Sequence, residues 1–533
     1  AAPARRAGAR RPLKALALQG GGIKALSAFA GVTAGLLHAH AGDEGASKVT
    51  LAGSGLFADV DLVSSVSGGS WFAASLIYDS NGFLRMVENM ARSPAEAGSL
   101  FNESWMVKWL RIGAPQSAWD SFVKRLSGWF SLTWFWQTFA EASYVWRRGS
   151  RWETFVQALL GSTADIGPEL VLGSPVANWS EGKTWLVDHS VVAGSLDRRA
   201  AIHQQFGVAV SYELQGSHAV PEFLPAKFSI ELGTGPNASA PFPYIAPEAA
   251  ARLGRFKYFK TALFQRTLEA YSQPVDPAFP AMTQDVGRLS VVEVATASSA
   301  AMGGACVSKT LQWWNNFIRG EFTPWASSAP NGEAFREAEA LAHDMATRPG
   351  RTQEGLDSLA AVQVRGVIDG GYTDDTGIAH AVASGAEEVL AFLTDKSEGP
   401  VSLFNLFRGG AASRVRRGVP TLYFQIFEEA IDAVRKEHAQ FSHLKVPSSG
   451  NETKYLHSIG VGTLKATTMK NDWFGIEAGR EVTIRVIDVN TRLGIGFFAR
   501  FDNYNMLVQE IVSCLTLAGN KPVVEGHMLL PRP

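Results

Sequence analysis

The chain has 533 residues, of which 46% are apolar and 19% charged; this excludes wholesale disorder and supplies enough apolar surface for a sizeable core. A formal net charge of -1 excludes a global attraction to nucleic acid or to anionic lipid, so any membrane contact must be local. No uninterrupted run of about 18 apolar residues is present, so no transmembrane helix is expected, and the protein is read as soluble or peripherally membrane-bound.

Residues 1–12 are basic, Ala-rich and free of acids, and read as a flexible tail; 13–533 reads as one domain. Leu13 to Gln19 is a short apolar strand that runs into Gly20-Gly21-Gly22-Ile23-Lys24-Ala25, and an Ala/Leu-rich helix follows to about His38. A glycine-rich turn between strand and helix presents bare N–H groups to an anion. Gly20-x-Gly22-x-x-Ala25 also fits the dinucleotide-binding fingerprint, with Asp43 near the spacing of a ribose-binding acid, so an oxidoreductase is a rival reading at this point.

Asp61 to Tyr78 gives a buried strand, a sharp turn of small residues and then a helix, with Ser67 at the apex. This is the layout of a nucleophile elbow, in which the serine oxygen stands clear of the sheet beside N–H groups at a helix N-terminus. Ser65 replaces the first glycine of the usual G-x-S-x-G, and Gly69 keeps the last. A serine-glycine run after a strand also serves as an ordinary turn or helix cap.

Between about 86 and 160 the composition shifts, and eight of the fifteen tryptophans fall between Trp105 and Trp152. Trp119, Phe122, Val123, Leu126, Trp129 and Phe130 keep helical spacing, and Arg147, Arg148 and Arg151 close the segment. Aromatics flanked by cations suit a lid or a bilayer interface, and equally a helical insertion packed on the core. The next stretch, 167–280, has strand-like runs at Phe206–Tyr212 and Phe228–Leu232 but no chemical motif. Small residues in Leu289–Ala301 permit close approach, and 331–355 reads as a surface helix and loop.

Gln363 to Ile368 is a strand ending in Asp369-Gly370-Gly371, with a helix from Ile378 to Ala386 and a strand from Glu388 to Leu393, which reads as a β-α-β unit. Asp369 thereby lies on the rim where α/β sheets bind ligands, while Asp375 reads as the N-cap of the next helix. Beyond it, Thr421–Gln440 looks helical, Leu456–Thr467 and Glu481–Val489 look like strands, and Asn503–Ala518 is a closing amphipathic helix.

His189, His380 and His457 lack metal-ligand spacing, and the sequence has neither H-E-x-x-H nor C-x-x-C, so no metal and no cofactor is expected. Cys306 and Cys514 are compatible with one disulfide or with packing as small hydrophobes. Sequons at Asn102, Asn178, Asn237 and Asn451 would permit glycosylation in a secretory setting.

Taken in chain order, the glycine run at 20–22, Val66-Ser67-Gly68-Gly69-Ser70-Trp71 and Asp369-Gly370-Gly371 resemble the patatin and cytosolic phospholipase A and B superfamily, most closely the cytosolic and fungal phospholipase branch. The resemblance implies an α/β three-layer sandwich with a central, mostly parallel sheet, to which the aromatic-rich helical segment would be an insertion. It implies a Ser67–Asp369 dyad acting on a lipid ester without histidine, metal or cofactor. The oxyanion would be held by backbone N–H groups of Gly21 and Gly22, with Gly68 beside them and Gly20 and Gly370 supporting the turns. Lys24 stands where the family has an arginine that meets substrate phosphate or braces the loop, and a lysine is a point charge in place of a planar fork. The implied activity is that of a phospholipase or lysophospholipase. Hydrolysis of galactolipid or neutral lipid esters, acyl transfer and an inert lipid-binding protein are the alternatives. The Trp-rich segment is the candidate for peripheral membrane contact, and no nucleic acid partner is expected.

Overall fold

The computed structural model describes residues 12–108, 152–161, 166–167, 169–170, 174–192, 205–213, 221–224, 290–299, 323–326, 364–372, 374–395, 400–408, 425–446, 454–471, 476–493 and 502–527. Its strands are β1 (Lys14–Leu18), β2 (Leu62–Val66), β3 (Thr184–Val192), β4 (Gln205–Glu213), β5 (Pro221–Leu224), β6 (Thr323–Ala326), β7 (Val364–Asp369), β8 (Glu388–Leu393), β9 (Ser442–His443), β10 (Leu456–Thr467) and β11 (Glu481–Thr491). They form one mixed sheet in the order β5-β4-β3-β2-β1-β8-β11-β10-β9, with β7 on β3 and β6 on β7. The central five, β3-β2-β1-β8-β11, run parallel, and the flanking pairs are antiparallel. This is an α/β fold with an antiparallel hairpin, β10 and β11, closing one side.

Alternation along the parallel strands sends side chains to two separate cores. Leu16, Leu18, Val63, Val187, Leu390, Phe392, Ile487 and Val489 face one core. That core is covered by α1 (Gly22–Ala46), α2 (Gly68–Tyr78), α3 (Phe83–Arg92), α4 (Trp152–Leu160), α5 (Val291–Ser298) and, near the C-terminus, Asp502–Leu515. Ala15, Ala17, Leu62, Leu186, Val389, Ala391, Ile484 and Val486 face the second core, under α6 (Ile378–Ala383), α7 (Val401–Arg408) and α8 (Ile431–His438). Helices thus cover both faces of the sheet.

The first helix, α1, is apolar on every side because neighbours surround it. Its residues Gly22–Gly42 are long and apolar enough to cross a membrane by length and composition, and 94% of its most apolar window is buried. The helix kinks at Gly42 (φ 68°). Asp43 therefore lies about 30 Å along α1 from the glycine loop, out of reach of a ribose bound there, which removes the acid that the dinucleotide reading needs.

Two local expectations are corrected. The stretch β7-α6-β8 is not a parallel β-α-β crossover, because β7 runs antiparallel to β3 and β8 runs parallel to β1. Thr421–Gln440 is not one helix: Phe427 bridges Thr468, Glu428 N donates to Thr467 O at 2.9 Å, and the helix begins only at Ile431. Backbone groups at 426–428 are taken by Leu406 and the end of β10, so none remain for a helical ladder.

Within the Trp-rich stretch, Trp105 is fully buried and packs on Phe83 and Phe101, a core role. Trp119 to Trp146, residues 1–11, Phe228–Leu232, 331–355 and Cys306 lie outside the described residues. Cys514 is a free, buried thiol, pushed up to about 12 by burial.

Candidate active site

At the end of β2 the chain turns at Ser67 with φ 52° and ψ −120°, the sole positive φ of a non-glycine residue among those described. Such backbone strain costs about 1–3 kcal/mol and persists only where the surroundings fix it. Here β1 and β3 grip β2 from both sides, while Ser70 N and Trp71 N donate to Ser67 O at 2.9 and 3.2 Å. The turn closes tightly because Gly68 has no side chain: a Cβ there would collide with the backbone N and O of Gly22. Ser65, which departs from the usual elbow pattern, points into the first core, where its Oγ pairs with Ser70 Oγ at 3.1 Å and accepts Trp185 Nε1–H at 2.8 Å. Its side chain leaves the turn unobstructed.

Asp369 closes β7 opposite Ser67. The Ser67 hydroxyl donates to Asp369 Oδ2 at 2.8 Å, and Gly371 N–H donates to Oδ1 at 2.8 Å, so both carboxyl oxygens are engaged. Burial pushes Asp369 up to about 7; the bonds from Gly371 and Ser67 pull it down, and neighbouring Asp375 raises it. Gly370 lets the turn press on β3, since a Cβ there would lie 2.7 Å from Asp188 C. The register partner of Asp369, His189, has its Nε2 3.1 Å from Val294 O. The oxygen pair at the site is Ser67 and Asp369.

The glycine loop lies against Ser67 and Asp375. A Cβ on Gly20 would come within 3.2 Å of Ser67 Cβ and would clash with Asp375 Oδ1. Gly21 and Gly22 take φ of 138° and 62°, which turns the chain from β1 into α1. Among the described residues the N–H groups of Gly21, Gly22 and Gly68 donate to no protein acceptor. Lys24 is buried, and its ammonium donates to Thr394 O at 2.6 Å. That bond ties the first turn of α1 to the residue after β8.

Several residues at the site were not singled out from sequence. Ser298, at the end of α5, accepts Ser67 N–H at 3.0 Å, lies 2.9 Å from Ser70 Oγ and donates to Asp188 O at 2.8 Å. Ser299 accepts Trp71 Nε1–H at 2.9 Å. The run of small residues at 289–301 carried that signal, yet small residues suit plain helix packing equally well. Asp188 is buried behind Ser64, and desolvation, then Asp374, raise it well above the usual carboxylate range. The N-cap of α6 is Gly377 (φ 72°), not Asp375, and it is Asp374 whose carboxyl reaches the first turn, accepting Thr376 N–H and Ala379 N–H at 2.8 Å each. Asp375 instead faces the glycine loop, and burial pushes it up to about 6.

No protein-family model and no curated protein matches the chain by sequence. Among solved structures, the chain is similar to human GIVD cytosolic phospholipase A2, with a TM-score of 0.35 and 10% identity over 97% of this chain and 62% of that one. It therefore spans less than two thirds of that neighbour. A likeness of this order leaves the chemistry to be argued from the site. No group of three or more His, Cys, Asp or Glu side chains suited to a metal ion occurs among the described residues.

Proposed function

We propose that the protein is a lipid acyl ester hydrolase of the phospholipase or lysophospholipase type, with Ser67 as nucleophile and Asp369 as its base. The observation that carries this reading is the 2.8 Å hydrogen bond from Ser67 Oγ to Asp369 Oδ2, made by a serine held at positive φ beside unpaired glycine N–H groups. The lipid class rests on the resemblance of the three motif islands.

In this mechanism Ser67 Oγ attacks the ester carbonyl while its proton passes to Asp369. The oxyanion is stabilised by the N–H groups of Gly21, Gly22 and Gly68, each donor being worth about 3–4 kcal/mol in the barrier. Collapse breaks the ester C–O bond, and the leaving alkoxide takes the proton from Asp369. Water then gives a proton to Asp369 and attacks the acyl-enzyme, releasing the carboxylic acid and restoring the Ser67 hydroxyl. A carboxyl near neutrality suits both directions of transfer.

A second reading, an acyl ester lacking phosphate, draws support from the burial of Lys24, whose ammonium donates to Thr394 O at 2.6 Å. Mass spectrometry of products from a mixed lipid extract, with Ser67→Ala protein as control, tests both readings. Release of fatty acid from phospholipid supports the first, and release from galactolipid or neutral lipid alone supports the second. Hydrolysis by the Ser67→Ala protein at the parental rate would overturn the mechanism.

A further inference from the structure

We infer that Asp375 is a positioning residue for the hydrolysis proposed above, joining the glycine loop to the Asp369-Gly370-Gly371 turn so that oxyanion donors and dyad stay in register. The mechanism needs one carboxylate, and the site contains a second. Asp375 O accepts Gly20 N–H at 3.0 Å. Asp375 Oδ2 accepts Gln19 Nε2–H at 3.3 Å and Ser402 Oγ–H at 3.1 Å, which ties the end of β1 to α7. Gln19 in turn accepts Thr394 N–H at 2.6 Å, and the carbonyl of Thr394 holds Lys24. Asp375 Oδ1 rests between the two glycine turns: a Cβ on Gly371 would come within 3.0 Å of it, and one on Gly20 would strike it. One side chain thus touches the loop before α1 and the turn after β7, and it adds to the backbone bond from Gly20 N–H to Asp375 O.

Position alone would be served by a side-chain amide, so the charge has its own effect. The groups facing Asp375 are Gln19 and Lys24 from the β1–α1 junction, Asp369 from β7, Asp374 from its own turn, Asp395 from the end of β8 and Ser402 from α7. An ionised Asp375 opposes ionisation of Asp369 and so keeps a proton there to higher pH.

The test uses the full chain, a soluble fatty-acyl p-nitrophenyl ester and a fluorophosphonate probe. Asp375→Ala, which removes the side-chain part of the joint and the charge but keeps the carbonyl bonded to Gly20 N–H, is expected to lower kcat about 10- to 100-fold with KM within about threefold, and to slow labelling of Ser67 in proportion. Asp375→Asn, which keeps an acceptor for Gln19 and Ser402, is expected to recover most of kcat while the acid limb of the pH–rate profile moves to lower pH. A folded Asp375→Ala protein with parental kcat and labelling rate overturns the assignment. Should that variant fail to fold, Ser402→Ala decides: a fall in kcat of about two- to tenfold supports the joint, and a kcat and pH profile identical to the parent overturn it. Failure of the underlying reading looks different, because parental protein would then escape labelling at Ser67. In that case both inferences fall together.

Discussion

Ser67 and Asp369 touch because the carboxyl ends of β2 and β7 meet head-on along one edge of β3. β4 pairs with β3 over Thr184–Val192 and occupies its other edge. On the shared edge β2 pairs with Thr184–Asp188 and β7 with His189–Val192, so Val66 stands opposite Asp188 and Asp369 opposite His189. A hydroxyl and a carboxyl 302 positions apart are thereby fixed by backbone hydrogen bonds to neighbouring residues of one strand. The proposed dyad is held by that ladder, and four consequences of the proposed function and its surroundings follow.

Replacing Ser67 separates strain from chemistry. Ser67→Ala and Ser67→Gly should both lose ester hydrolysis by about 10⁴-fold or more and give no fluorophosphonate adduct. Both variants lose the bond to Asp369, but only glycine relieves the φ of 52°. Denaturant unfolding should therefore find Ser67→Gly more stable than Ser67→Ala by about 1 kcal/mol. Equal stability would show that the turn stores no strain.

Activity should rise with pH through about 7 and level off above it, because Asp369 accepts a proton only when ionised, and burial holds it up to about 7. A log kcat/KM profile with a slope of one below neutrality checks this. Asp369→Asn should abolish the limb together with the activity; a limb that survives in Asp369→Asn would place the titrating base elsewhere.

Stability should run the other way. Asp369 and Asp375 are raised in the folded protein to about 7 and about 6, and Asp188, Asp374 and Asp395 are raised as well. The unfolded chain releases these protons near pH 4. A raised carboxyl pKa contributes stability below the unfolded value that is lost as pH rises through the folded value. Between about pH 4 and 7 these five groups together should lower the melting temperature as pH increases. Thermal melts of parent and Asp375→Asn across that window measure the slope, which should be shallower in the variant.

Two packing contacts should matter as much as the dyad. Gly68→Ala would drive a methyl group into the backbone of Gly22 and displace the glycine loop, so activity should fall at least about 100-fold in a protein that still folds. Ser298→Ala removes the acceptor of Ser67 N–H and the donor to Asp188 O, at a cost of about 1–3 kcal/mol in unfolding free energy. Wild-type stability in Ser298→Ala would mean that solvent or another group satisfies the Ser67 amide.

Much of the architecture was legible in the sequence because it is written in local periodicity. The strands Glu388–Leu393 and Leu456–Thr467 fall on the expected bounds, and the turns after β1, β2 and β7 stand where glycine and serine punctuate apolar runs. Those features depend on which side chains alternate over a few residues and on which positions tolerate positive φ. The grouping of Ser67, Asp369 and Gly20 to Gly22 into one constellation came from the family resemblance of three motif islands taken together, since each island alone also suits an ordinary turn or cap. What only the tertiary structure decided is direction and contact. The reversed course of β7, the bond from Ala379 N–H to Asp374 with Asp375 turned to the loop, the burial of Lys24 and the grip of Ser298 on the Ser67 turn follow from strand register and close packing. Register couples residues hundreds of positions apart, whereas a sequence pattern reports only on its neighbours.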